Sequence, residues 1–89
     1  MTTAVNTVFP HEGREYHLQT EDLGDEDASF EARVYEGGTV IWSKRVSYAD
    51  ILAEQLPASE HDDRILALMR KTLTTIEAAI LKGRITAPG

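Results

Sequence analysis

Residues 29–46 read SFEARVYE-GG-TVIWSKRV, and this stretch decides the fold class. Ser29–Glu36 and Thr39–Val46 are rich in β-branched and aromatic residues, with Gly37-Gly38 between them. Two consecutive glycines between such runs mark a two-residue hairpin, because the primed turns need φ > 0 at both central positions. The turn implies a register. Glu36 faces Thr39, Tyr35 faces Val40, Val34 faces Ile41, Arg33 faces Trp42, Glu31 faces Lys44 and Phe30 faces Arg45. One face then carries Phe30, Ala32, Val34, Ile41 and Ser43, and the other carries Glu31, Arg33, Tyr35, Val40, Trp42 and Lys44. On the second face an acid opposes a base and an arginine opposes a tryptophan, pairs that each contribute a few tenths to about 1 kcal/mol.

Upstream, Glu15–Glu21 (EYHLQTE) alternates, with Tyr16, Leu18 and Thr20 on one side and His17, Gln19 and Glu21 on the other, as in a half-buried strand. Asp22–Asp27 is an acidic loop around Gly24, and His11–Arg14 is a turn around Gly13. Val8 and Phe9 suggest a short edge strand stopped by Pro10, and residues 1–7 a frayed tail. Downstream, Ser47 and Asp50 have capping-box spacing, giving a short helix from Tyr48 to about Gln55 that ends before Pro57. Ser59 and Asp62 repeat the spacing. The stripe Ile65, Leu66, Met69, Leu73, Ile76, Ile80 gives a long helix over 60–82, closed by Gly83. Thr86–Gly89 reads as tail. Leu68 and Leu81 lie off the stripe, which means either contacts beyond the chain's own sheet or a wider buried face. The expected fold is α+β: a three- to four-stranded antiparallel meander, a short helix, and one long C-terminal helix packed on one face. A single domain is expected over 1–89, ordered from about 8 to 85.

Composition narrows the function classes. The 89 residues include 42% hydrophobic and 27% charged side chains, a globular mixture. The absence of cysteine excludes disulfides, zinc–thiolate sites and a thiol nucleophile. No apolar run approaches the roughly 18 residues of a membrane span, and the N-terminus lacks a signal-peptide pattern, so the cytoplasm is the expected location. Nine basic residues are scattered among fifteen acidic ones for a net charge of −6, which disfavours nucleic acid and anionic membrane as partners.

The three histidines, His11, His17 and His61, share no metal-ligand spacing. The acidic loop lacks the alternating ligands of a calcium loop, so a solvated, self-repelling loop is the plainer reading. No nucleophile-elbow, phosphate-loop or dinucleotide motif occurs, and neither a cofactor, a metal nor a catalytic residue is expected. The group that stands out is Arg33, Tyr35, Val40 and Trp42, the residue types of an interface hot spot. The plainer reading is that a helix or the N-terminal segment covers that face. The sequence leaves open which face the long helix takes.

The run Tyr16-His17-Leu18-Gln19-Thr20-Glu21-Asp22-Leu23-Gly24 resembles a group of small bacterial domains with a Y-H-h-Q-T-E-D segment, h being apolar. These continue with a hairpin like Val34–Ile41, a segment like Ser43–Ile51, and a long helix ending in a basic element like Lys82-Gly83-Arg84. The resemblance covers about Phe9 to Ile85. It implies a fold unit rather than an activity, and it draws attention to Gln19, Thr20, Glu21 and Asp22, which would either bind something or cap the adjoining loop. The sequence points to a non-enzymatic protein–protein interaction or adaptor module in a bacterial cytoplasm. It would act on a protein partner or by self-association as a homodimer, through Arg33, Tyr35, Val40 and Trp42. The alternative is a small-ligand-binding protein or small enzyme using His17, Gln19, Glu21 and Asp22.

Overall fold

The alternating apolar positions of the chain become strands in a computed structural model that describes residues 4–85. In chain order these are β1 (Ala4–His11), β2 (Arg14–Asp22), β3 (Ser29–Glu36) and β4 (Thr39–Ser47), followed by helices α1 (Ala49–Ala53) and α2 (Ala58–Leu81). The strands form one four-stranded antiparallel sheet in the order β1-β2-β3-β4. The fold is therefore α+β, with the meander, short helix and long C-terminal helix that the sequence indicates.

Residues 4–7, expected to fray, belong instead to β1, which pairs with β2 from Ala4↔Glu21 to His11↔Arg14. A nonlocal clasp holds them. Thr20, fully buried on β2, accepts a hydrogen bond from the Val5 N–H at 3.2 Å and donates to the Val5 carbonyl at 3.4 Å. Pro10 does not end the strand, because β1 is an edge where a missing N–H is tolerated. Residues 1–3 and 86–89, read as tails, lie outside the described residues.

The long helix covers the face bearing Tyr16, Leu18, Phe30, Ala32 and Val34, all buried. One cluster joins Tyr16, Leu18, Ala32 and Val34 to Leu73, Ile76, Ile80 and Ile85. A second joins Phe30 to Tyr48, Ile65 and Met69. Burying each large apolar side chain contributes roughly 1.5–3 kcal/mol. The helix begins one residue earlier than Ser59, after Pro57, whose φ of −54° and ψ of 150° suit a helix entry. Ser59 makes no cap. At the other end Gly83, at φ 73°, donates to the Ile80 carbonyl, and Arg84 donates to the Ala79 carbonyl. This Schellman closure turns Ile85 back into the core. No helix of the described residues is long and apolar enough to cross a membrane.

The hairpin register departs from expectation at one residue. Gly37 and Gly38 adopt φ of 58° and 80°, as the primed turn demands, and Glu36↔Thr39 and Tyr35↔Val40 pair as read from the sequence. The register then shifts, so that Val34 pairs with Trp42, Arg33 with Ser43, Ala32 with Lys44, Glu31 with Arg45 and Phe30 with Val46. Ile41 is the extra residue of a β-bulge. Because strand side chains alternate, a one-residue slip moves every later side chain to the other face. Trp42, Lys44 and Val46 therefore lie on the helix side of the sheet, not with Arg33 and Tyr35.

Candidate functional site

Helix α2 packs across β1, β2 and β3 more than across β4. The inner face of β4 is thus a wall beside the helix, and between them runs a groove of about 280 Å3. From β4 it is lined by Trp42, Lys44 and Val46, from one flank of α2 by Leu68, Lys71, Thr72, Thr75, Ile76 and Ala79, and at its end by Ile85. The threonine hydroxyls are committed to the helix itself: Thr72 donates to the Leu68 carbonyl at 2.8 Å and Thr75 to the Lys71 carbonyl at 3.0 Å. Their polar capacity is spent locally, so the flank is mainly apolar toward the groove. No acid lines the groove, and among the described residues neither Lys44 nor Lys71 makes an ion pair. A second hollow of about 440 Å3, formed with Ser47, Tyr48, Asp50, Ile51, Arg64 and Ala67, shares Leu68 and Lys71 with it.

The outer face of the sheet keeps three of the four residues singled out as a partner surface. Tyr35 pairs with Val40, and Arg33 lies on the same face; Trp42 does not, because of the bulge at Ile41. The polar groups there are engaged with one another. Arg33 bridges to Glu31 and, at 3.8 Å, to Glu21, which relieves the repulsion of the directly paired Glu21 and Glu31. The Tyr35 hydroxyl donates to Gln19 Oε1 at 3.3 Å. Val8 and Val40 are the large apolar side chains left exposed on the sheet.

The residues of the ligand-binding alternative do not converge. His17 pairs with Glu15 at 3.0 Å, Gln19 accepts from Tyr35, and Glu21 reaches Arg33. Asp22 serves a different place: its Oδ1 accepts the Tyr48 hydroxyl at 2.6 Å and the Gly24 N–H at 2.9 Å. A depression of about 180 Å3 touches His17 and Gln19 but neither Glu21 nor Asp22. The bonds of Asp22 fit its reading as a loop cap.

That cap is part of a polar clasp around the acidic loop. Tyr48, fully buried, donates to Asp22 and lies 3.3 Å from Asp25 Oδ1, and its N–H donates to the Ala28 carbonyl at 2.8 Å. His61 of α2 sits 3.1 Å from Asp62 through Nδ1 and 3.5 Å from Asp25 through Nε2. Burial pushes the Tyr48 phenol well above its ordinary value, and the hydrogen bond and charge of Asp22 add to the shift. Such a phenol stays a hydrogen-bond donor at neutral pH, not a base. Among the described residues no group of three or more His, Asp or Glu is arranged to hold a metal ion.

Sequence reasoning marked Trp42 as an anchor and Leu68 as off the core stripe, and both line the groove. It missed Lys44, Lys71, Thr72, Thr75 and Ala79, whose role depends on where the helix sits over the sheet. Compared with protein-family models, with curated proteins and with solved structures, the chain matches none.

Proposed function

We propose that this chain is a non-enzymatic protein–protein interaction module, and that its docking surface is the groove between β4 and α2. The occupant is an apolar, acid-bearing segment of a partner protein. One observation carries the reading: on a chain of net charge −6, the apolar groove is free of acids and holds two lysines without ion-pair partners among the described residues. Apolar walls with a few placed polar groups are the usual make-up of a binding cleft, and here the placed groups select negative charge. The outer sheet face supports docking less well, because Arg33 and Tyr35 already have partners within the sheet.

The test uses the capped peptide Ile-Leu-Glu-Glu-Thr-Val-Ile and a version with Lys-Lys in place of Glu-Glu. Trp42 is the only tryptophan, so its fluorescence reports the groove directly. The acidic peptide is expected to shift Trp42 emission saturably and to bind at least tenfold tighter than the basic one. The Lys44→Glu/Lys71→Glu double variant should lose about tenfold for the acidic peptide, since two exposed ion pairs of up to about 1 kcal/mol each are removed and each 1.4 kcal/mol is a factor of ten. Equal affinity for the two peptides, or no binding of either, overturns the reading.

A further inference from the structure

We infer that the partner segment enters as a fifth strand on the free edge of β4, in a register that sets two consecutive acids opposite Lys44 and Arg45. This rests on the groove reading and specifies how the groove is filled. The sheet order leaves the outer edge of β4 without a pairing strand among the described residues. Beyond the bulge, Trp42–Ser47 runs in regular register against Ser29–Val34. Such an edge is a template for main-chain hydrogen bonds, and alternate side chains of an added strand supply the specificity.

The side chains of β4 dictate the pattern. On the helix side stand Trp42, Lys44 and Val46; on the outer side stand Ser43 and Arg45. Directly opposed pairs are favourable when apolar meets apolar and acid meets base. A complementary strand therefore carries an apolar residue opposite Val46, acids opposite Arg45 and Lys44, a small polar residue opposite Ser43, and an apolar residue opposite Trp42. The acid opposite Lys44 points to the groove side, where Lys71 of α2 also stands.

Lysines and bulges on an edge strand are also the ordinary means of preventing strand pairing. Here the same charges discriminate between partners. Two copies of this chain overlapping fully over Trp42–Ser47 in antiparallel fashion would place Lys44 opposite Arg45 in both directions, a like-charge pairing. Full self-pairing of this edge is disfavoured and an acidic strand is accepted, which points to a different protein as the occupant.

The experiment adds backbone N-methyl groups to alternate residues of the capped peptide Ile-Leu-Glu-Glu-Thr-Val-Ile, in two complementary phases. Methylation leaves the side chains intact but removes the donor. An added strand turns only one phase toward β4, so one phase is expected to lose at least tenfold in affinity while the other binds within about twofold of the parent. In the parent complex, amide hydrogen exchange should slow at alternate residues within Trp42–Ser47. Binding of the parent with both phases unaffected, or both equally weakened, or without added protection in β4, overturns the fifth-strand mode and leaves the groove reading standing. Failure of the unmethylated peptide to bind removes the groove reading itself.

Discussion

Replacing Tyr48 with phenylalanine removes one hydroxyl and leaves the ring in place among Phe30, Ile65 and Met69. The lost bond runs 2.6 Å to Asp22. Hydrogen bonds to a charged group contribute about 1.5–3 kcal/mol. Asp22 Oδ1 retains the Gly24 N–H at 2.9 Å, so the carboxylate is not stranded and the lower part of that range applies, about 1.5–2 kcal/mol at pH 7. For a domain of this size, whose urea m-value is about 1 kcal/mol/M, the midpoint should fall by roughly 1.5–2 M with m unchanged. A second signature follows from linkage. The phenol is held protonated in the fold, with a pKa raised above its ordinary value of 10. A raised phenol contributes stability that is complete below the unfolded pKa and is lost as pH climbs from there through the folded value. Above about pH 10 the unfolded chain ionises at Tyr48 and the native one does not, so the native state loses about 1.4 kcal/mol per pH unit from this residue. The gap between the two proteins should therefore shrink by about 1.4 kcal/mol at pH 11 and close near pH 11.5. The other tyrosines are common to both proteins and cancel. Urea titrations at pH 7, 9, 10.5 and 11 measure the gap. A variant as stable as the parent at pH 7, or a gap that stays constant to pH 11, refutes the clasp.

Phe30 is wholly buried, and Phe30→Ala should cost about 3–5 kcal/mol, about a third or more of the roughly 5–10 kcal/mol expected for a domain this small; thermal unfolding by circular dichroism reads the loss. Gly38→Ala, at φ 80°, should cost about 1 kcal/mol in urea denaturation through backbone strain alone, since no atom lies within 4 Å of the added methyl. Deleting Ile41 removes the extra residue of the bulge and makes Val40 and Trp42 consecutive, so that Trp42 stays opposite Val34 on the helix side and the later register is kept. Trp42 emission and its response to the acidic peptide should therefore be retained, whereas a shift to longer wavelength in a folded deletion variant would mean that Ile41 is not the residue that sets the face.

Much of the architecture was legible because its signals are local. The alternation of Tyr16, Leu18 and Thr20, the Gly37-Gly38 turn and the stripe closing on Gly83 each announce an element within a few residues. What escaped depends on distant partners. Residues 4–7 look like tail until Thr20 of the neighbouring strand grips Val5. Ser59 looks like a cap, but Pro57 already presets the entry geometry of the helix. Trp42 and Leu68 could be marked as unusual from sequence, yet the groove they line exists only because the helix sits off β4, which no window of residues encodes. Asp22 was grouped with His17, Gln19 and Glu21 by proximity in sequence, whereas strand alternation and the loop bend send it to Tyr48.

The bulge had one legible sign, and it links fold to site. The unbulged register puts Arg45 opposite Phe30, on the face that must be buried. An arginine there would lose hydration without a partner, which costs several kcal/mol. One extra residue at Ile41 replaces it with Val46, which packs against the Phe30 cluster, while Ile41 and Trp42 both pack against the neighbouring one. The exchange has a consequence at the middle position. It places Lys44 opposite Ala32, on the helix side. A helix laid squarely over β4 would bury that ammonium, so α2 settles over β1, β2 and β3 and leaves the inner wall of β4 open beside it. The residue that spares the core an arginine thus commits the chain to a lysine-bearing apolar groove next to a free strand edge. Core packing and the docking surface follow from the same one-residue slip.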